Sequence, residues 1–436
     1  MTAHPRPPIS TTDPPLDLWR ILAAADAAAP VDAVDAVATE LRQAFGAEAV
    51  SFLIADMGGR ALVRLTHVRS PQAGQDVRHD DEESATTLPL DGGPAEQALR
   101  TQTVQVLRPG DVDGFADRWR LLAPVTERGD VMGLLDMTLA DEPTAEILST
   151  VARVGHLLSY VVSANRRHTD LFEWGERSRP FTLSAEIQHR LLPLSRTCEA
   201  SAFTLVGWLE PAASIGGDTF DYSLARDVLH LSLTDAMGHG VGSALTATVG
   251  LSSLRGSRRV GASLAESVQA ANAALCEHAD RMGTDDFVTG LVGRVDLTTG
   301  VLEVVNAGHP VPFLIRSGRV SEVGLPADLP LGMFADADYS STKVALVPGD
   351  RVVFVTDGML ERHGSLVDLP SILVETQKVH PREAVRYMAD QALESAGHQL
   401  ADDATILCLD WHGDNDDPGR STVAGADRGR ASNPLT

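Results

Sequence analysis

Apolar residues recur along this chain in two rhythms. Val228 to Thr234 (V-L-H-L-S-L-T) alternates apolar and polar side chains, the period-2 signature of a strand with one face buried. Val352 to Val355 is apolar throughout, as in a strand buried on both faces. Further strands are predicted at Phe203–Leu209, Phe287–Val295, Val301–Val305, Pro312–Arg316, Val344–Val347 and Ala404–Trp411. Small residues from Val241 to Leu254 suit a helix packed closely on a sheet. Ser263 and Glu266 form a capping box that opens a second helix, running to Ala279, and Pro381 suits the first residue of a third, ending near Gly397. Many antiparallel strands with helices in two groups predict an α+β domain over residues 200–411.

The first half has its own order. An alanine-rich amphipathic helix is predicted from Leu18 to Phe45, stopped by Gly46, then strands at Ala49–Ile54 and Ala61–Leu65. An acidic, loop-like stretch (Asp76 to Glu83), a helix at Pro94–Arg100, strands at Val104–Leu107, Arg120–Pro124 and Gly133–Leu139, and a long helix from near Pro143 follow. Ile147, Val151, Val154, Leu158 and Val161 step by four and three, a coiled-coil-like seam that continues through Asn165, His168 and Phe172. Pro180 interrupts it, and Leu183, Ile187, Leu191 and Leu192 mark a second amphipathic piece ending at Pro193. The expected organisation is a disordered lead-in over 1–15, a domain over 16–165, a helical connector over 166–199, the α+β domain over 200–411 and a disordered tail over 412–436.

At 436 residues, more than one core is required. A net charge of −24 argues against nucleic acid or an anionic membrane as partner. Lys343 and Lys378 are the only lysines, and no Gly-Lys-Ser/Thr occurs, which excludes a P-loop. Cys198, Cys276 and Cys408 are isolated, fitting a reducing compartment, and the N-terminus has no signal-peptide core, so a cytoplasmic protein is expected.

Candidate chemistry lies in four strand-end aspartate sites. Asp218 follows Gly216-Gly217, Asp235 precedes Gly238-His239-Gly240, Asp357 sits in Thr-Asp-Gly, and Asp402 is followed by Asp403. Asp beside Gly is by itself a turn signal. Four such sites in one domain point instead to a carboxylate-rich centre, which needs cations because clustered carboxylates repel. An all-oxygen donor set with no cysteine motif favours Mg²⁺ or Mn²⁺ over Zn²⁺.

The motifs GGDTFD, DAMGHGVGSAL, FVTGLVGRVDLTTGVLEVVNAGHPVPFLI, VTDGMLE and DDATIL, in that order, resemble the SpoIIE-like branch of the PPM (protein phosphatase 2C) family. The resemblance implies an α-β-β-α sandwich and hydrolysis of phosphoserine or phosphothreonine on a protein acting in trans, in this branch usually a STAS-type anti-sigma-factor antagonist. It implies that Asp235 bridges two metals, with the Ala236 backbone carbonyl on the second, and that Asp218, Asp357 and Asp402 are the other acidic ligands, Asp403 orienting rather than ligating. Two cations about 3.5–4 Å apart make hydroxide available near neutral pH for in-line attack on phosphorus. His239 stands either as a general acid for the leaving oxygen or as a residue of a glycine turn; His309, in NAGHP, reads as a structural hydrogen-bonding residue. The first half resembles a GAF domain in its element order and in RLLAPVTERGDVMGLLDMTL, similar to that family's closing hairpin, which leaves a ligand sensor and a ligand-free dimerisation module both open. S-A-E-I-Q-H-R-L-L-P resembles the connector before SpoIIE-like catalytic domains, implying a two-state switch helix in a homodimer. The alternative is a PPM-like regulator that binds a phosphoprotein without hydrolysis, a reading that the intact acidic residues argue against.

Overall fold

The computed structural model describes residues 18–67, 83–111, 117–176, 182–210, 217–360, 368–397, 400, 402–413, 416–421 and 423–435. The expected lead-in over 1–15 and the break at Pro180 lie outside the described residues. The chain divides into two compact units, the first within residues 18–176 and the second within 182–434, with residues 128–130 counted in the second.

In the first unit the N-terminal helix is two helices, α1 (Leu18–Ala27) and α2 (Ala33–Phe45), not the single one that periodicity predicts. Pro30 lies between them: it has no amide hydrogen to continue a helix, and the chain turns there, Asp32 N donating to Ala29 O at 2.8 Å. Strands β1 (Ala49–Ala55), β2 (Ala61–His67) and β3 (Glu83–Pro89), helix α3 (Pro94–Thr101), strands β4 (Gln105–Leu107), β5 (Trp119–Glu127) and β6 (Asp130–Leu139), and helices α4 (Ala145–Asn165) and α5 (Leu171–Glu176) complete the unit. The sheet order is β3-β2-β1-β6-β5-β4. The periodicity gives no sign of β3, whose sequence E-S-A-T-T-L-P has almost no apolar residue. Alternation along β5 and β6 sends Leu121, Leu135 and Met137 towards α1, α2 and α4, and Leu122 and Leu134 to the other face, with α3. Val151, Val154, Leu158 and Val161 are buried in this core, so the seam is α4's packing face. The helix ends at Asn165, and Phe172 joins the same core from α5 rather than prolonging the seam. Among the described residues α4 is the one helix long and apolar enough to cross a membrane.

The second unit opens with α6 (Leu183–Leu191), capped by the Thr182 hydroxyl, then β7 (Thr197–Glu199), β8 (Phe203–Glu210), β9 (Thr219–Leu224) and β10 (Val228–Ala236). Helices α7 (Val241–Arg259) and α8 (Leu264–Met282) follow, with the predicted capping box at Ser263 and Glu266. Strands β11 (Val288–Asp296), β12 (Val301–Ala307), β13 (Phe313–Arg316), β14 (Arg319–Glu322), β15 (Ser341–Ala345) and β16 (Arg351–Val355), helices α9 (Leu369–Thr376) and α10 (Pro381–Ser395), and strand β17 (Ala404–Trp411) finish it. One sheet runs β15-β12-β11-β10-β9 and the other β14-β13-β16-β17-β8-β7, both antiparallel. Leu229, Leu231, Leu233, Leu291 and Leu302 meet Phe203, Leu205, Phe354, Leu407 and Leu409 between the sheets. On the outer faces, α7 and α8 bury Leu251, Val268 and Leu275 against β10–β12, and α9 and α10 bury Leu373, Val385 and Met388 against β8, β16 and β17. The expected α-β-β-α sandwich is therefore present.

Beyond β17 the tail that composition marks as disordered is fixed among its described residues. Ser201 N donates to Arg420 O at 2.8 Å, Asp427 N to Glu199 Oε2 at 2.8 Å, and the Arg430 guanidinium to Ala200 O and Ser201 O at 2.7 and 2.9 Å. Its polar composition predicts no helix or strand, and its described residues form none. What the composition does not reveal is that these backbone groups have partners at the β7–β8 turn.

Candidate metal centre

Asp235 lies near the end of β10, where the chain leaves the sheet through Gly238 and Gly240, both at positive φ (+90° and +82°). Its neighbours Thr234 and Ala236 face α7, so by alternation Asp235 faces the gap between the sheets. Strand β9 is paired so that Thr219 opposes Thr234, and Ala236 N donates to Gly217 O at 3.3 Å; continuing this register sets Asp218 directly opposite Asp235. Two carboxylates opposed on one face of a sheet destabilise it unless something neutralises them. The register also explains a glycine: a Cβ at Gly217 would stand 2.5 Å from the Ala236 carbonyl oxygen.

The facing sheet holds Asp218 in place. Thr356, after β16, and Thr405, on β17, both donate their hydroxyls to Asp218 Oδ2, at 2.7 and 2.6 Å. Asp357 follows Thr356 in a 3-10 turn and is exposed. Gly358 must be glycine, since a Cβ there would meet the Asp403 carbonyl oxygen at 1.9 Å. Asp402 is exposed and accepts from Asp403 N at 2.8 Å, whereas Asp403 is buried. Asp403 Oδ2 receives the Gln188 amide of α6 at 2.5 Å, and the same nitrogen donates to Asp218 O at 2.8 Å. Periodicity missed Gln188: the apolar spacing of α6 marks Leu183 and Ile187, yet Leu183 is 67% exposed and Gln188 only 3%.

Electrostatics bind the five carboxylates into one cluster. Burial, and then the charge of Asp235 and Asp403, pushes Asp218 well above the usual carboxylate range, against the two threonine hydroxyls. Asp235 is pushed up to about 7, by burial first and then by Asp357, Asp402 and Asp403, with a hydrogen bond from Asp218 opposing. At neutral pH the opposed pair therefore retains a proton unless a cation replaces it. Among the described residues, no three His, Cys, Asp or Glu side chains converge closely enough to hold one ion in common. The donor set nevertheless fits hard cations: every group in the cluster is an oxygen, and the charge left on it calls for neutralisation.

The histidines stand apart. His239 is exposed in the glycine loop after Asp235. His309 is buried, with Nδ1 2.9 Å from the Thr289 hydroxyl and its backbone N donating to Asn306 Oδ1 at 2.8 Å. Burial lowers its pKa to about 4, so it is neutral, as suits a structural hydrogen-bonding residue. Thr289 is paired opposite Asp235 and points to the same face, which sets His309 beside that end of β10.

The family model of Stage II sporulation protein E (SpoIIE) matches residues 225–412. The chain is 23% identical over 233 residues to phosphoserine phosphatase RsbU of Bacillus subtilis, a match over 52% of this chain and 68% of the relative. It is 23% identical over 216 residues to phosphoserine phosphatase RsbP of the same organism, covering 46% of this chain and 50% of that one. Among solved structures, the SiaA-PP2C domain of Pseudomonas aeruginosa aligns over 52% of this chain and 94% of its own, with TM-score 0.45 and 22% identity. Residues 225–412 thus match the SpoIIE family, the one whose motifs this sequence resembles.

Proposed function

We propose that this chain is a Mn²⁺- or Mg²⁺-dependent protein serine/threonine phosphatase. One observation carries the reading: Asp218 and Asp235 are opposed in a partly buried gap between the sheets, with Asp357, Asp402 and Asp403 acting on them. Asp218, Asp235, Asp357, Asp402 and the Ala236 carbonyl would hold two cations. Such a pair lowers the pKa of water towards neutrality and offsets charge on the phosphoryl oxygens. The rest is done by the chain itself. Thr356 and Thr405 engage one oxygen of Asp218 and would leave the other for a cation, and Gln188 fixes the Asp403 carboxylate. His239, exposed in the glycine loop that follows Asp235, would give a proton to the departing seryl oxygen.

The substrate that fits best is a regulatory phosphoprotein of the STAS anti-sigma-antagonist kind, encountered in trans in the cytoplasm. The names of RsbU and RsbP support phosphoserine as the group attacked. The first unit would act as a GAF-like regulatory domain and, with the connector, as the homodimer contact. Control would pass through α6, because Gln188 joins that helix to both Asp218 and Asp403. The test is release of phosphate from a serine-phosphorylated STAS protein by the full chain and by a fragment beginning at residue 180. Turnover by the full chain, altered in rate or Mn²⁺ requirement in the fragment, is expected. Identical behaviour of the two would end the regulatory part of the proposal. No release by either, alongside turnover of an aryl phosphate, would end the substrate part.

A further inference from the structure

A second polar site lies on the same sheet, five residues and so about 17 Å along β10 from Asp235. Directly opposed residues cross the helix-facing side as Ser223, His230, Arg294, Glu303 and Lys343. Between this row and the α7–α8 turn runs a half-open cleft whose polar lining is His230, Ser232, Arg258, Ser267 and Arg294.

Positive charge is in surplus here, in a chain whose net charge is −24. Asp221 is shared by two arginines of α7, Arg255 at 2.8 Å and Arg258 at 3.1 Å. Glu303 is shared by Arg294, at 2.8 Å, and by the charge of Lys343. Four cations stand against these two carboxylates and Asp296, which leaves one positive charge over. Asp296, next along the same face, is engaged in its own turn, accepting from Thr298 N and Oγ1 and from Thr299 N. Arg258 uses its two terminal nitrogens on Asp221, and Arg294 uses Nε and Nη2 on Glu303, so one nitrogen of each guanidinium makes no hydrogen bond among the described residues. The His230 ring likewise makes none, and burial with the charge of Arg258 and Arg294 lowers its pKa, leaving a neutral ring with one N–H to donate. The start of α8 is not the attraction, because Ser263 and Glu266 already cap it.

We propose that this cleft binds a small tetrahedral oxyanion of the inorganic phosphate type, held by Arg258 and Arg294 with the His230 ring. The one nitrogen that each guanidinium leaves unused can give a charge-assisted hydrogen bond to an oxygen of such an ion. The site is separate from the aspartate cluster and does not depend on the phosphatase reading.

Calorimetric titration of the full chain with inorganic phosphate, in EDTA and at constant ionic strength, tests it. Saturable one-to-one binding is expected in wild type and equally in Asp235→Asn, with affinity falling at least about tenfold in Arg294→Gln, the loss of one charge-assisted contact. His230→Leu keeps both guanidinium groups and should also weaken binding, which preserves the test where Arg294→Gln does not fold. A parallel titration with O-phosphoserine separates an esterified ligand from the free ion, and binding of either supports the site. No saturable binding of either, binding matched by chloride, binding lost in Asp235→Asn, or wild-type affinity in folded variants of Arg294 and His230 would each overturn it.

Discussion

Asp218 and Asp235 are paired across two strands although water would solvate them better apart, and the pH dependence of stability should report this. Asp235 has a folded pKa raised to about 7, above its unfolded value near 3.8. Between those values the folded state holds more protons than the unfolded state, so without metal this group's contribution falls as pH rises from about 4 to about 7. Urea denaturation in EDTA should show the wild type losing stability relative to Asp235→Asn across that window, and Mn²⁺ should abolish the loss. Thr405→Val removes one of two hydroxyls from Asp218 Oδ2. It should weaken Mn²⁺ binding at pH 7 by about tenfold, as loss of a ligand's supporting hydrogen bond does, and competition with a fluorescent chelator would measure it. At this scale the aspartates were legible, because Asp235, Asp357 and Asp402 each end or begin a readable strand and Asp218 follows a pair of glycines. Gln188 was not, because its burial makes sense only with Asp403, 215 residues away.

Among the elements, α6 joins the chain before the sandwich to the carboxylates. Arg255 of α7 also donates to Leu191 O at the end of α6, at 2.6 Å, so the helix is gripped at two points. Gln188→Leu would leave Asp403 buried without its amide donor. Turnover should fall about tenfold or more, with an intact circular dichroism spectrum and a higher Mn²⁺ requirement; an unchanged Mn²⁺ requirement would remove α6 from the account. Strands with alternating or continuous apolar residues, such as β10 and β16, were readable because one or both faces are buried. Elements that depend on their neighbours were not. Strand β3 is polar and gains its place by pairing with β2, while the single predicted N-terminal helix breaks at Pro30 because an alanine-rich pattern masks one missing amide.

For the whole molecule, grouping of strands and helices predicted an α+β domain, and the resemblance of its motifs implied the sandwich, with which the family match over 225–412 agrees. Strand order was beyond reach, because β8 pairs with β17 across about two hundred residues and only packing chooses such partners. Composition misjudged the tail for a related reason, since beside its own turns it bonds to groups of β7 and the β7–β8 turn that are remote in sequence. The central claim is that these aspartates carry metal-dependent hydrolysis, and one measurement addresses it most directly. Turnover of a small aryl phosphate should be followed against Mn²⁺ concentration for wild type and Asp235→Asn. Saturable, Mn²⁺-dependent turnover is expected in the wild type and none in the variant at any concentration. Equal turnover in both proteins, or wild-type turnover undiminished by EDTA, would contradict it.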